Sequence, residues 1–201
     1  MKAFDPESLT FRYSCEYRGI PGPGHDPSDY PMDWEVSVEG TVYETDDEGF
    51  DIGDGEDVHV GDARVRVIPD AGSIDLLDTM DAVDSEAMGV AEMLFNERPD
   101  LIEDLEAGGD LLILSSLWID PRFRGNKIGH TVLKAILGSV GRVAALVVLQ
   151  AAPVLSDDGA EEDTPEHKAA KVALRRYWTG FGFEEAAGDY LVLGDMAEVL
   201  A

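Results

Sequence analysis

Residues 111–130 constrain this chain more than any other stretch. Leu111, Leu112, Ile113 and Leu114 are continuously apolar, as in a strand covered on both faces. Asp120-Pro121 breaks the run, and Arg122, Arg124, Gly125, Asn126 and Lys127 make a short basic turn. Ile128, Val132, Leu133, Ile136 and Leu137 then recur at helical spacing. The first N–H groups of a helix lack partners inside it, and its dipole puts partial positive charge there. A Gly-containing turn leading into such an end predicts an anion site. Residues 143–149 are apolar throughout, so strand 110–120, helix 129–139 and strand 143–149 read as a right-handed βαβ unit with parallel strands.

The chain in front reads as antiparallel β. Residues 10–17 and 34–45 alternate apolar and polar, and 58–68 supplies a third strand with a turn expected at Gly61-Asp62. Residues 46–57 read as an acidic hairpin tip. Residues 73–95 place Leu76, Leu77, Met80, Val83, Ala87, Met88, Ala91 and Leu94 at helical spacing. Ser73 is the expected cap of one long helix, and Asp84-Ser85 would cap a second if the segment is split. One more helical turn is expected at 101–105. Residues 151–167 are acidic and read as a loop, 168–178 as a helix, and 183–193 as a closing hairpin around Gly188-Asp189.

A chain of 201 residues can bury a proper core as a single domain. The formal net charge of −27, from 42 acidic and 15 basic residues, opposes binding to nucleic acid or anionic membranes. The acid is spread along the whole chain, which favours a solvated acidic surface over a steering field or a mimic of nucleic acid. The single Cys15 allows no intrachain disulfide, the first residues lack the apolar core of a signal peptide, and no apolar run is long enough to span a bilayer. A cytoplasmic protein is the expectation. His25, His59, His130 and His167 share no metal-ligand spacing, so no metal is expected. Neither the Walker nor the dinucleotide glycine motif occurs.

The segment from Arg124 to Gly129 resembles the acyl-CoA signature of the GNAT superfamily of N-acetyltransferases, Arg/Gln-x-x-Gly-x-Gly/Ala. Arg124 and Gly129 match its first and last fixed positions, and Lys127 stands where the middle glycine is expected. The order of elements over 60–195 is similar to the family layout, with 18–57 as an extended front end, and 176–183 resembles its helix ending in Tyr-x-x-x-Gly-Phe. The resemblance implies an α/β (α+β) fold: a central twisted mixed sheet flanked by helices, with antiparallel front strands and a βαβ acyl-CoA-binding unit. It implies an acetyl-CoA-dependent N-acetyltransferase acting on a primary amine by direct attack on the thioester, with no covalent enzyme intermediate. The alternative is a non-catalytic acyl-CoA-binding or regulatory module, and both leave a homodimer open.

Carried over, the backbone of Leu117, Trp118 and Ile119 would meet the pantetheine arm and supply the oxyanion donor. The amides of Arg124, Gly125, Asn126, Lys127, Ile128, Gly129 and His130 would hold the diphosphate, joined by the Lys127 ammonium. The family's usual thiolate acid is a tyrosine four residues before the final Gly. Here Gly182 puts Trp178 at that place, with Tyr177 beside it, about 100° around the helix. Tyr177 is the candidate acid if the helix end is shifted. Lys171 replaces a frequent asparagine. Glu35, Glu39 and Glu44, or a water chain, are the candidates for general base, and Ser115 and Ser116 are either substrate contacts or a strand bulge. The acidic loop 151–167 beside the cleft suggests a cationic amine.

Overall fold

Alternating apolar residues in the first third do form strands: β1 (Lys2–Glu16), β2 (Met32–Glu44) and β3 (Glu56–Ile68). The structure, a computed structural model, describes residues 2–16, 30–44, 54–153 and 164–194, together with 196 and 199. The acidic tip at 46–53, most of the extended front end before Tyr30, and 154–163 of the acidic loop lie outside the described residues. β1 begins at Lys2 rather than Thr10, because pairing with β2 resumes beyond an irregularity between Asp5 and Thr10. As an edge strand, β1 tolerates Pro6. The turn expected at Gly61-Asp62 is absent. β3 runs straight through, and Val60 is the extra residue of a bulge opposite Val38 and Glu39. Gly61 serves close approach instead, since a Cβ there would lie 2.3 Å from the Trp118 carbonyl oxygen.

Between the third and fourth strands lie three helices, α1 (Leu76–Asp81), α2 (Ser85–Asn96) and α3 (Pro99–Glu106). Ser73 does not cap a long helix; it ends a 3-10 turn. Asp75 and Asp84 are the caps, each accepting from the amide three residues on, so the segment splits into two helices. Then follow β4 (Asp110–Ile119), α4 (Ile128–Gly138), β5 (Ala144–Gln150), α5 (Pro165–Thr179), β6 (Glu184–Glu185) and β7 (Tyr190–Leu193). α5 starts earlier than expected. Thr164 accepts the His167 N–H and Pro165 takes the first helical position, so 165–167 is helix rather than loop.

The strands among the described residues join one seven-stranded mixed sheet in the order β1-β2-β3-β4-β5-β7-β6. β4 and β5 are parallel, and the other neighbours are antiparallel. Helices cover both faces. Ile128, Val132, Leu133, Ile136 and Leu137 of α4 and Trp178 of α5 pack with Val36, Val65, Leu112, Leu114, Val147 and Leu149 on one side. Leu76, Met80, Val90, Leu94, Leu101 and Leu105 of α1–α3 pack with Ile68, Leu111, Ile113, Leu146 and Val148 on the other. No helix among the described residues is long and apolar enough to cross a membrane.

One buried charge ties the second face together. Arg66 on β3 is 8 % exposed; its Nε donates to Asp33 of β2 at 2.7 Å. Its Nη1 lies 2.9 Å from Asp84, within ion-pair distance but off hydrogen-bond alignment. Asp84 thus caps α2 and pins it to the sheet. Burial opposes its ionisation, but the amides of Ala87 and Glu86 together with Arg66 hold its carboxyl below the ordinary 3.8. A depressed carboxylate stabilises the fold above its unfolded pKa, and that stability is lost as pH falls through the folded value. Asp84→Ala should therefore destabilise by about 1–2 kcal/mol near neutrality in urea unfolding, with the deficit shrinking below about pH 4. Asp84→Asn should keep much of the cap and lose the acid-dependent part.

Candidate functional site

The site begins where β4 and β5 stop pairing. The parallel register runs from Asp110 opposite Ala144 to Leu114 opposite Leu149, and nothing on β5 pairs with β4 beyond it. On the other edge of β4, Leu114 opposes Val65 and Ser116 opposes Arg64, which leaves Ser115 as the extra residue. A bulge bends its strand and adds twist, and here it coincides with the parting of the two strands. It also shifts the alternation: Leu112 and Leu114 face the α4–α5 core before it, Leu117 and Ile119 after it.

A cleft of about 810 Å³ fills the gap. Its near wall is β4 from Leu114 to Ile119, and its floor is the turn with Arg124, Gly125, Lys127, Ile128 and Gly129. The far wall is Leu149, Gln150, Ala152 and Pro153 after β5, with Leu174, Tyr177 and Trp178 of α5. Of the residues expected to form a site, Leu117, Trp118, Ile119, Arg124, Gly125, Lys127, Ile128, Gly129 and Tyr177 thus converge on one cavity, along with Ser115 and Ser116. Asn126 and His130 do not line it. Glu35 and Glu39 belong to β2 and face Arg64 and Arg12 instead. Glu44 ends β2, opposite Lys2. No carboxylate or imidazole lines the cleft among the described residues. Nor do any three or more His, Cys, Asp or Glu side chains among them gather as metal ligands.

The floor turn has an unusual backbone. Lys127, the residue before α4, sits at φ 55° and ψ 27°, and Gly125 at φ 99°. Left-handed geometry suits Gly125 and strains Lys127 by about 1 kcal/mol. Lysine at the expected glycine position thus adopts the positive φ that glycine would take without strain. No side chain of residue 127 caps α4. His130 and Thr131 donate to the Lys127 carbonyl and Arg124 donates its N–H to the Pro121 carbonyl, so of the amides expected to hold a diphosphate, those of Arg124 and His130 are already taken inside the fold. Phe123 anchors the turn, 6 % exposed and packed against Phe4 of β1 with ring centroids 4.7 Å apart.

Charges in the turn divide into used and unused. Asp120 accepts from the backbone N–H and from Nε and Nη2 of Arg122, and this arginine draws its carboxyl down to about 2. Arg124 donates Nε to the Ile119 carbonyl at 2.8 Å, which satisfies one group at the end of β4. Arg12, Arg64, Arg66, Arg98, Lys171 and Arg175 all meet carboxylates. Arg124 and Lys127 meet none among the described residues, and both line the cleft.

α5 crosses over the start of α4 with two aromatic neighbours in different roles. Trp178 is 6 % exposed and packs edge-on against Phe181 and Phe183. Tyr177, half-buried, turns its hydroxyl to α4, where Oη accepts the His130 N–H at 3.1 Å. The cap that Lys127 lacks thus comes from another helix. In return the His130 ring donates Nε2–H to the Tyr177 carbonyl at 3.0 Å and packs on its phenol ring. Burial raises the Tyr177 hydroxyl above its ordinary 10, against the pull of the His130 and Gly129 amides. Gly129 makes room: a Cβ there would lie 2.7 Å from Tyr177 Oη and 3.2 Å from Leu117.

Leu174 is three residues before Tyr177 and four before Trp178, so helical phase alone would have placed it on the cleft wall. Gln150, Ala152 and Pro153 carried no such signal. Lys171 turns away from the cleft to Asp189 at 2.6 Å. Cys15 is exposed on β1, remote in sequence from these walls, and burial with the Asp33 charge raises its thiol. Comparisons with family models, curated proteins and solved structures found no match.

Tyr177→Phe should cost about 1 kcal/mol of stability in thermal unfolding, the worth of one neutral cap hydrogen bond. Lys127→Gly should be more stable than Lys127→Ala by about 1 kcal/mol, because both lose the ammonium and only the glycine relieves the left-handed strain. Equal stabilities of that pair would refute strain at residue 127.

Proposed function

We propose that this chain is an acetyl-CoA-dependent N-acetyltransferase of GNAT-like architecture, with the cleft between β4 and β5 as its active site. One observation carries the reading: an unpaired strand edge and two unneutralised cations meet in a single cavity. An extended, amide-containing arm ending in a diphosphate is the ligand chemistry that matches both. The edge of β4 from Ser115 to Ile119, apart from the Ile119 carbonyl that Arg124 takes, offers backbone groups to an arm lying where β5 would otherwise pair. The turn offers the Arg124 guanidinium and the Lys127 ammonium to phosphate at the start of α4.

Acetyl-CoA would supply an activated acyl carbon. The amine nitrogen forms the new C–N bond, the C–S bond breaks, and the amine gives up a proton as the sulfur gains one. Donors on β4 near Leu117 and Ile119 would stabilise negative charge on the carbonyl oxygen. Tyr177 is the phenol in the cleft. Because its oxygen accepts an α4 amide, its own proton is the one it has left to direct towards a departing sulfur. With no carboxylate or imidazole among the described residues of the lining, deprotonation of the amine falls to water in this reading. That same lack favours a second reading, a module that binds acyl-CoA without turning it over.

Titration calorimetry with CoA followed by an assay for released thiol across primary amines separates these readings. CoA should bind, and Arg124→Ala and Lys127→Ala should each weaken it about tenfold or more, as expected for a charge-assisted contact to phosphate. Binding without thiol release would leave the non-catalytic module, and an absence of binding would remove both.

A further inference from the structure

The two faces of β4 differ beyond the bulge. Leu117 and Ile119 turn to the α4–α5 core, so strand alternation turns Ser116 and Trp118 to the opposite face. On that face α1–α3 cover the sheet around Leu111 and Ile113, and the end of β4 is left open. Trp118 is 45 % exposed there, yet it also lines the cleft. It therefore belongs both to the cavity and to an open shelf beside it.

The shelf has a definite chemistry. The imidazole of His59 on β3 stacks near the Trp118 indole, with centroids 6.3 Å apart and planes 18° apart. His59 Nε2 lies 2.8 Å from Asp62 Oδ2, and Asp62 is the register partner of Trp118. On the neighbouring β2, Asp33, Glu35 and Glu39 each meet an arginine. Asp62 meets only the imidazole among the described residues. An exposed indole face attracts cations through its quadrupole, tryptophan more strongly than the other aromatics, and an adjacent carboxylate adds to the pull. The basic side chains of Arg124 and Lys127 belong to the turn that follows β4, where Arg124 donates to the Ile119 carbonyl on the strand edge; Leu117 and Ile119 turn to the α4–α5 side and Trp118 to the other.

We propose that this shelf receives the acceptor, and that the acceptor is a primary amine carrying a second cationic group. The cationic tail lies over the Trp118 indole beside Asp62, while the primary amine enters the cleft past Ser116. This assignment rests on the acyl-transfer reading above. Trp118 and Asp62 are then specificity-determining residues, and selectivity between tails is the property they control.

The test compares agmatine, whose tail is a guanidinium, with n-butylamine, whose tail is uncharged, on the full chain with acetyl-CoA. The readout is the ratio of their kcat/KM values, which cancels any general loss of activity in a variant. The ratio should favour agmatine at least tenfold in the unaltered chain. It should fall about tenfold in Trp118→Ala, less in Trp118→Phe, and about threefold or more in Asp62→Asn. Equal values for the two amines, or a ratio unmoved by Trp118→Ala, overturn the proposal while leaving acyl transfer intact. If no amine releases thiol and CoA does not bind, the acyl-transfer reading is what fails. Agmatine quenching of tryptophan fluorescence, reduced in Trp118→Ala, then still supports a cation shelf, and no quenching overturns it too.

Discussion

The parting of β4 from β5 is the constraint on which the rest of this molecule depends. Five residues of β4 find parallel partners, Asp110 to Leu114, and the next is the bulged Ser115. Had the ladder continued, the edge from Ser115 to Ile119 would be sheet interior and no cavity would exist. Leaving strand groups unpaired in a partly enclosed space costs about 1–3 kcal/mol for each one that water or a partner does not satisfy. Arg124 covers one of them, the Ile119 carbonyl. Such an edge persists in a folded chain only where surrounding packing holds it, and here both faces of β4 before the bulge are buried in the two cores.

Nothing on β5 pairs with β4 beyond the bulge, so the far wall is held by other contacts. Asp189, in the turn between β6 and β7, accepts from Lys171 and Arg175 of α5, and its carbonyl takes the Ala151 N–H at 2.8 Å. One residue thus fixes the helix carrying Tyr177 to the chain that leaves β5. At the other side of α5, Tyr177 exchanges hydrogen bonds with His130 of α4. The floor turn, the far wall and α5 are consequently one mechanical unit. Gly129 is small because the Tyr177 hydroxyl occupies the space its side chain would need.

Much of this arrangement was legible in the sequence, for identifiable reasons. The continuous apolar runs gave the parallel pair, and the helical spacing from Ile128 to Leu137 gave α4, because those elements are buried and their pattern is their packing. Asp84-Ser85 marked the start of α2 through cap chemistry that is local. What failed was non-local. Gly61-Asp62 has turn composition, but its glycine answers a carbonyl on β4 that no local window contains. Ser73 loses the cap role to Asp75 because a 3-10 turn intervenes. The choice between Tyr177 and Trp178 turned on about 100° of helical phase, and both reach the cleft, one through its hydroxyl and the other as buried packing. The shelf at Trp118 could not be read at all without knowing that a bulge precedes it.

The net charge of −27 argues against an anion site only if it acts over distance, and magnitude decides otherwise. Screening at physiological ionic strength reduces interactions between exposed charges beyond about 8 Å. Carboxylates spread over the surface therefore reach the floor of the cleft weakly, and the local charge there is set by Arg124 and Lys127. Seen this way, the distribution of partners is more informative than the sum. In a chain with far more acids than bases, most described arginines are neutralised by an adjacent carboxylate. Lys134, Arg142 and Arg176 also meet no carboxylate among the described residues, but Arg124 and Lys127, three residues apart on a turn whose lysine is held in a left-handed backbone conformation, are the pair that lines the cleft. Local strain of this kind persists where surrounding structure imposes it and is concentrated at functional sites.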